Sequence, residues 1–284
     1  MRIGAHMWIS RGLAAAARKG AEIGCETIQL FAGSPGSWHS RRIDPEEARD
    51  FRRLVEEFDL RPVTVHTQYL LNLASPDPAI HARSTAALGD AMRCAHALGA
   101  QYVVTHVGSH RGSGKEQGIE QVREAVSTTL GQLPGKVVLL LENSSGAGDS
   151  VGSNFEELHM ILDRLGEYGD RLGVCLDTAH LWGAGYDISG PKAVAQTVEG
   201  FDSVVGVGWL KLVHLNDTCV GLGSRSDRHA NIGSGNIGER GFAALLHHPA
   251  LISLAGIIET PATTIEDDVR NIRLLKRLRG TGKP

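Results

Sequence analysis

Thiol ligands are scarce in this chain. Its four cysteines, Cys25, Cys94, Cys175 and Cys219, are widely separated and form no C-x-x-C pair, which speaks against a disulfide framework and against a thiolate zinc site. Cys175 lies inside Gly173-Val-Cys-Leu-Asp177 and reads as core. No apolar run approaches the roughly 20 residues of a membrane-spanning helix. Met1-Arg-Ile-Gly-Ala5 leads straight into a strand rather than a signal peptide, so a cytoplasmic protein is expected. Charge is nearly balanced, 29 basic against 32 acidic residues for a net −3 at pH 7. Alone, that balance disfavours a nucleic-acid partner, but bound dications would reverse it locally, each adding two positive charges. A P-loop, a dinucleotide fingerprint and a Ser-His-Asp nucleophile elbow are all missing. The glycine-rich stretches 145–148 and 233–238 read as tight turns or as places where backbone approaches a site.

What the chain does have is histidine and carboxylate at the ends of apolar runs. Short β-rich runs, 2–6, 27–31, 63–66, 102–106, 137–142, 173–177, 210–214 and 256–259, alternate with segments of helical period, 13–23, 45–58, 78–98, 116–130, 154–165, 191–198, 239–246 and 265–278. Helix starts are marked by Asp44-Pro45-Glu46-Glu47 and Ser153-Asn-Phe-Glu156. Alternation of this kind over 284 residues without a compositional break predicts one (β/α)₈ TIM barrel spanning 1–284. A doubly wound open sheet has the same alternation. Position favours the barrel: His6, His66, His106, Glu142, Asp177, His214 and Glu259 each end a different candidate strand, and barrel strand ends converge on one face. An open sheet would spread them along a line.

A lone strand-end histidine is commonly a hydrogen-bonded structural residue, and His6, His81, His96, His159, His247 and His248 are read that way. The strand-end set is different, because each member would have to be structural independently. Glu142 ends the run Val137-Val-Leu-Leu-Leu-Glu, where an unpaired carboxylate would be costly; Glu259 after Gly256-Ile-Ile repeats the pattern. Asp177-Thr-Ala-His180 sets an imidazole one turn beyond a carboxylate, and Asp227-Arg-His229 sets the two on one side of an extended segment. Ligation by His and carboxylate without thiolate suits Zn²⁺, with Mn²⁺ or Fe possible at individual positions. Nine such ligands exceed the need of one four-coordinate ion, and paired dications are a recurring device for phosphate-ester hydrolysis.

The ordered series Gly4-Ala-His6, His66-Thr-Gln-Tyr-Leu-Leu-Asn72, His106-Val-Gly-Ser-His110, Leu141-Glu-Asn143, Cys175-Leu-Asp-Thr-Ala-His-Leu-Trp-Gly-Ala-Gly-Tyr-Asp187, His214-Leu-Asn-Asp217, Gly223-Ser-Arg-Ser-Asp-Arg-His229, Ile232-Gly-Ser-Gly-Asn-Ile-Gly238 and Glu259-Thr-Pro261 resembles the endonuclease IV family. That family comprises zinc-dependent apurinic/apyrimidinic endonucleases of DNA base excision repair. The resemblance runs nearly end to end. It implies a trinuclear zinc site: His66, His106 and Glu142 for the first ion, Glu142, Asp177, His214 and Glu259 for the second, and His180, Asp227 and His229 for the third. It also implies hydrolysis 5′ to abasic sites in double-stranded DNA, by a hydroxide shared between two ions, with 3′-hydroxyl and 5′-deoxyribose phosphate products and cleaning of 3′ ends. Glu259 and Glu142 would be the catalytic carboxylates. A monomer without membrane or protein partner is expected.

In this family side chains enter bent DNA while the abasic nucleotide is flipped out. Tyr69 and Leu70 match the wedge-bearing loop, with ordinary core at the barrel top as the alternative, and Arg225 and Arg228 are candidates for phosphate contact, with pairing to nearby carboxylates as the alternative. The chain departs from the family at Gly36, where a basic residue is usual, and at Val107, where the family has proline. A different enzyme class also fits part of the pattern. Glu142, Asp177, His214 and Glu259 alone would suit a single-metal sugar isomerase or epimerase of the xylose isomerase-like group, which leaves His66, His106, His180 and Asp227-Arg-His229 unexplained.

Overall fold

Helix starts in this chain are written in local chemistry. Asp44 and Asp77 stand immediately before Pro45 and Pro78, and each carboxylate accepts the backbone N–H of the residues two and three ahead. Asn154 caps in the same way, accepting from Glu157 N at 2.8 Å. Each cap satisfies N–H groups that the first helical turn leaves without intrahelical partners, and proline at the first helical position loses nothing.

The computed structural model describes residues 1–133, 135–261 and 264–280. Its strands are β1 (Arg2–His6), β2 (Thr27–Phe31), β3 (Val63–His66), β4 (Tyr102–His106), β5 (Val138–Glu142), β6 (Leu172–Asp177), β7 (Leu210–His214), β8 (Asp217–Thr218), β9 (His229–Ala230) and β10 (Ala255–Ile258). Its helices are α1 (Leu13–Ile23), α2 (Pro45–Glu57), α3 (Pro78–Leu98), α4 (Lys115–Gln132), α5 (Phe155–Asp163), α6 (Thr178–Ala184), α7 (Pro191–Val204), α8 (Gly238–His247) and α9 (Ile265–Gly280). Eight parallel strands close into a barrel in the order β1-β10-β7-β6-β5-β4-β3-β2. Closure is explicit, because β1 pairs with both β2 and β10. That excludes the open sheet.

Two apolar layers follow from strand periodicity. Residues facing outward pack under the helices in one large cluster that includes Ile3, Leu30, Val65, Val103, Leu141 and Val174. Inside the barrel a separate plug is formed by Val104, Leu140, Cys175, Leu212, Ala255 and Ile257, so the interior is packed rather than open. Successive strand residues point to opposite faces. The residue two places beyond each plug member therefore faces inward as well, one layer higher. For Val104, Leu140, Cys175, Leu212 and Ile257 those residues are His106, Glu142, Asp177, His214 and Glu259. The fold thus stacks a polar layer on an apolar one at the C-terminal ends of the strands.

The sequence-based boundaries are met within a residue or two at most strands and helices, and α7 runs on to Val204. Three elements were not expected. Helix α6 has only seven residues before Gly185 ends it in the left-handed conformation, too few to show a helical period. Strands β8 and β9 form a two-residue antiparallel ribbon, Asp217 opposite Ala230 and Thr218 opposite His229, within a stretch that reads as loop. No helix among the described residues is long and apolar enough to cross a membrane.

Barrel closure at β1 needs a residue without a side chain. A Cβ placed on Gly4 would overlap the carbonyl of Thr27 on the paired strand β2. Gly4→Ala is expected to destabilise the protein by about 3 kcal/mol, the upper range for overpacking a well-filled interior, measured by urea unfolding. A change below about 0.5 kcal/mol would show that the β1–β2 seam has slack.

Candidate metal centre

The polar layer is completed from neighbouring segments. His66 ends β3, His180 stands on the first turn of α6, Asp227 lies in the loop before β9, and His229 begins β9. Together with the strand ends they make three groups whose ligating atoms lie within 4.8 Å of one another: His66, His106 and Glu142; Glu142, Asp177, His214 and Glu259; and Asp177, His180 and His229. Asp227 joins the third group, its two carboxylate oxygens 3.1 Å from His180 Nε2 and 3.0 Å from His229 Nε2. All nine residues nominated from the sequence converge. Asp177, expected in the second set only, belongs to the third as well. His110 lies outside the groups and accepts the Gly114 N–H at its Nδ1.

Carboxylates tie the groups together. Glu142 Oε2 lies 3.2 Å from both His66 Nε2 and His106 Nε2, while its Oε1 lies 2.9 Å from His214 Nδ1 and 3.5 Å from His180 Nδ1. Asp177 divides its oxygens too: Oδ1 caps α6 by accepting His180 N at 2.8 Å, and Oδ2 faces the cluster. Glu142, Asp177 and His214 are almost completely buried, whereas the side chains of His106 and Asp227 are 44% and 43% exposed.

Imidazole orientation is fixed from outside the cluster. Nδ1 of His66 donates to Thr67 O, that of His180 to Asn143 O and that of His229 to Glu259 O, at 2.7, 2.8 and 3.0 Å. Each of these rings therefore offers Nε2 inward, the arrangement that metal-ligating histidines show. His214 is reversed: Nε2 donates to Gln29 Oε1 at 2.9 Å and Nδ1 faces the carboxylates. The amide nitrogen of Gln29 in turn donates to Glu259 Oε1 at 2.6 Å and to His6 Nδ1 at 3.1 Å. Asn216 holds the other side, donating to Asp177 Oδ2 at 2.6 Å and Glu259 Oε2 at 3.2 Å, and its own oxygen accepts Glu259 N at 2.7 Å.

The residues fit a set of dications. Two donor atoms on a tetrahedral ion, each ~2.0–2.1 Å from it, are about 3.3 Å apart, close to the separations of 3.0–3.2 Å across these groups. His229 Nε2 is buried and has no hydrogen-bond partner although Asp227 Oδ1 is 3.0 Å away. The two atoms are close but poorly aligned for a hydrogen bond, as expected of two ligands aimed at a common ion.

Burial opposes charge throughout the cluster, and the neighbours overcome it. For Glu142, burial pushes the carboxyl up, but His214 and His106 hold it well below its ordinary value. Glu259 is similarly resisted by burial yet drawn down to about 2, chiefly by His214 and His66. Burial would lower His180, but Asp177 and Asp227 lift it to about 10. Asp227 likewise lifts His229 to about 9 against its burial. His6 differs: burial drives it down to about 3, so it is neutral. A nest of carboxylates this strongly ionised needs positive charge inside it, as protons on imidazole or as metal.

Around the cluster, Tyr69 and Leu70 are exposed, at 61% and 38%, so neither belongs to the core. The Tyr69 ring stands edge-on to Phe31 at 5.2 Å and lies 6.0 Å from His106. Arg225 and Arg228 are exposed, and among the described residues neither side chain makes an ion pair, so pairing with nearby carboxylates is not their role. A Cβ at Gly36 would meet nothing within 4 Å, which leaves that loop bare.

Sequence reasoning missed Gln29, Asn216 and Asp217 as site-building residues. All three are fully buried. Gln29 carried a signal, an amide at the centre of the apolar run Thr27-Ile-Gln-Leu-Phe31. Asp217 accepts the N–H groups of Gly233, Gly235 and Ile237 at 2.9–3.1 Å. This wraps segment 233–238 around it, and a Cβ on Gly235 would overlap the carboxylate. The glycine-rich run is thus a carboxylate cradle that secures β8 beside the site.

Residues 17–278 match the family described as xylose isomerase-like TIM barrel. The chain is 44% identical over 281 residues to a probable endonuclease 4 of Natranaerobius thermophilus, covering 99% of this chain and 98% of that protein. It superposes on the crystal structure of endonuclease IV from Thermus thermophilus with a TM-score of 0.87 at 35% identity, over 98% of both chains. A D-tagatose 3-epimerase-like protein matches with a TM-score of 0.72 at 20% identity, over 98% of this chain and 97% of that one, a likeness of fold alone. Likeness in sequence and architecture over almost the whole length places this chain in the endonuclease IV family of xylose isomerase-like TIM barrels.

Proposed function

We propose that the chain is a zinc-dependent DNA repair endonuclease, working as a single (β/α)₈ domain, that hydrolyses the phosphodiester bond 5′ to an abasic site in double-stranded DNA. The observation that carries this reading is the sharing of Glu142 and Asp177 between adjoining ligand groups. Sharing of this kind suits adjacent ions rather than one. A single-metal isomerase would use Glu142, Asp177, His214 and Glu259 and would have no need to orient His66, His106, His180 and His229 toward the same space.

His66, His106 and Glu142 would hold one zinc, Glu142, Asp177, His214 and Glu259 the second, and His180, Asp227 and His229 the third. Bound there, the ions would acidify water and neutralise charge on phosphoryl and departing oxygens. Glu259 is the carboxylate assigned to orient the attacking water and take its proton. Its oxygens are fixed by Gln29 and Asn216, and it is ionised across the neutral range. Glu142 spaces the groups. Arg225 and Arg228, exposed and unpaired by the described residues, would bind backbone phosphate. Tyr69 and Leu70 would enter the stack, at least cost where a base is already missing.

Glu259→Gln is expected to keep the fold and lower kcat on an abasic duplex by at least about a hundredfold, the lower range for losing a general base. Near-normal turnover at equal metal content would remove Glu259 from that role. Tyr69→Ala should weaken binding of an abasic duplex about tenfold, within the range for one stacked base, with metal content unchanged. Fluorescence anisotropy measures this, and unchanged affinity would exclude Tyr69 from the DNA contact.

Protons and metal compete for the same imidazoles. In metal-free protein His180 and His229 are lifted to about 10 and about 9 from an ordinary 6.5. Their stabilising contribution is complete below pH 6.5 and drains away as pH rises toward 9–10. The melting temperature of chelated protein should fall across that window, while zinc-loaded protein holds nearly steady. Parallel curves would show that metal does not take over these sites.

A further inference from the structure

Trp8 is the most exposed of the large hydrophobic side chains among the described residues, at 70%. The backbone on either side of it is nevertheless anchored. Met7 before it is buried and its N–H bonds to Gln29 O at 2.8 Å, and Gly12 N closes the loop onto Ile9 O at 2.9 Å. The indole therefore projects from the tight connection between β1 and α1, on the rim that carries the metal-ligand cluster. Its ring centroid lies 6.1 Å from Phe31 and 6.1 Å from His6. Phe31, buried at 7%, bridges to exposed Tyr69 at 5.2 Å. An aromatic row thus runs from Trp8 through Phe31 to Tyr69, exposed at its two ends and supported in the middle.

Two clefts flank the indole. One, about 630 Å³, is lined by Trp8, Phe31, Tyr69 and Glu259 and so opens directly onto the carboxylate assigned to the reaction. The other, about 580 Å³, lies between Trp8 and residues Ser34, Pro35 and Ser37 of the loop that carries Gly36. Arg11, on the same connection as Trp8, and Arg42, beyond the Gly36 loop, are exposed and make no ion pair with the described residues. An exposed aromatic face on the wall of a cleft that reaches Glu259 is the arrangement that binds an unstacked nucleobase beside the reacting phosphate.

We propose that Trp8 is a base-stacking residue of the substrate face. It packs on a nucleobase adjoining the incised phosphate and so makes binding depend on which base that is. The proposal rests on the endonuclease reading and adds to it a second stacking point, at the other end of the Trp8–Phe31–Tyr69 row. A base stacks through its π-face, so a purine should bind better than a pyrimidine.

The test is steady-state incision by zinc-loaded wild type, Trp8→Ala and Trp8→Phe, on duplexes that carry one abasic analogue and differ only in the bases beside it. Melting temperature and metal content are measured on each sample. Trp8→Ala should raise KM about tenfold with kcat lowered less than about twofold, and should flatten the dependence on the neighbouring base. Trp8→Phe should recover most of both. Unchanged KM in Trp8→Ala, a loss that Phe does not restore, or a loss equal for every neighbouring base would overturn the role of Trp8 and leave the nuclease reading in place. No incision by metal-loaded wild type would overturn the nuclease reading and this proposal with it. A partner protein retained by wild type and lost in Trp8→Ala, with KM for DNA intact, would assign the indole to protein contact instead.

Discussion

The structure depends on strand parity. Each of His106, Glu142, Asp177, His214 and Glu259 stands two residues beyond a member of the apolar plug inside the barrel. The pleat forces both residues of each pair inward, and the closed sheet brings the five upper positions together over one floor. A register slip of one residue in any of these strands would turn its ligand outward and put an apolar side chain among carboxylates. The hydrophobic plug and the polar cluster are therefore one construction, and the packing that stabilises the barrel also sets the ligand positions.

Electrostatics then fixes what that cluster must contain. Carboxylates as buried as Glu142 and Asp177 are tolerated only when paired. Without metal the pairing is supplied by imidazoles held protonated, which is why His180 and His229 sit so far above their ordinary range. With metal bound, the same imidazoles would give up protons and serve as ligands. Gln29 and Asn216 are neutral and would serve both states, because their amides hold ring and carboxylate orientation without adding charge. Gln29 links His214, Glu259 and His6 in one chain of hydrogen bonds, so the least conspicuous residue of β2 organises three of the strand ends.

The barrel was legible because its elements alternate and its polar strand ends recur, and the clustering of the nominated residues was legible because histidine and carboxylate at the tips of apolar runs have few other uses. The amides were not: Gln29 and Asn216 look like ordinary polar residues until burial and partners are known. Helix α6 is too short for a period and is started by Asp177, a residue that also faces the cluster. The ribbon β8–β9 comes from the Asp217 cradle, a tertiary contact with no local signature. Tyr69 and Leu70 could not be told from barrel-top core by sequence, and their exposure decides the point. Trp8 carried no sequence signal, since a single tryptophan after a strand does not by itself say which way it faces.

Central to the whole account is that the shared carboxylates separate three ions rather than enclose one. Diffraction from crystals of the zinc-loaded protein, recorded across the zinc absorption edge, tests this most directly. The account predicts three anomalous peaks over the barrel plug: one at His66, His106 and Glu142, one among Glu142, Asp177, His214 and Glu259, and one at His180, Asp227 and His229. A single peak confined to the Glu142–Asp177–His214–Glu259 group, with the remaining histidines bonded only to protein, would contradict it.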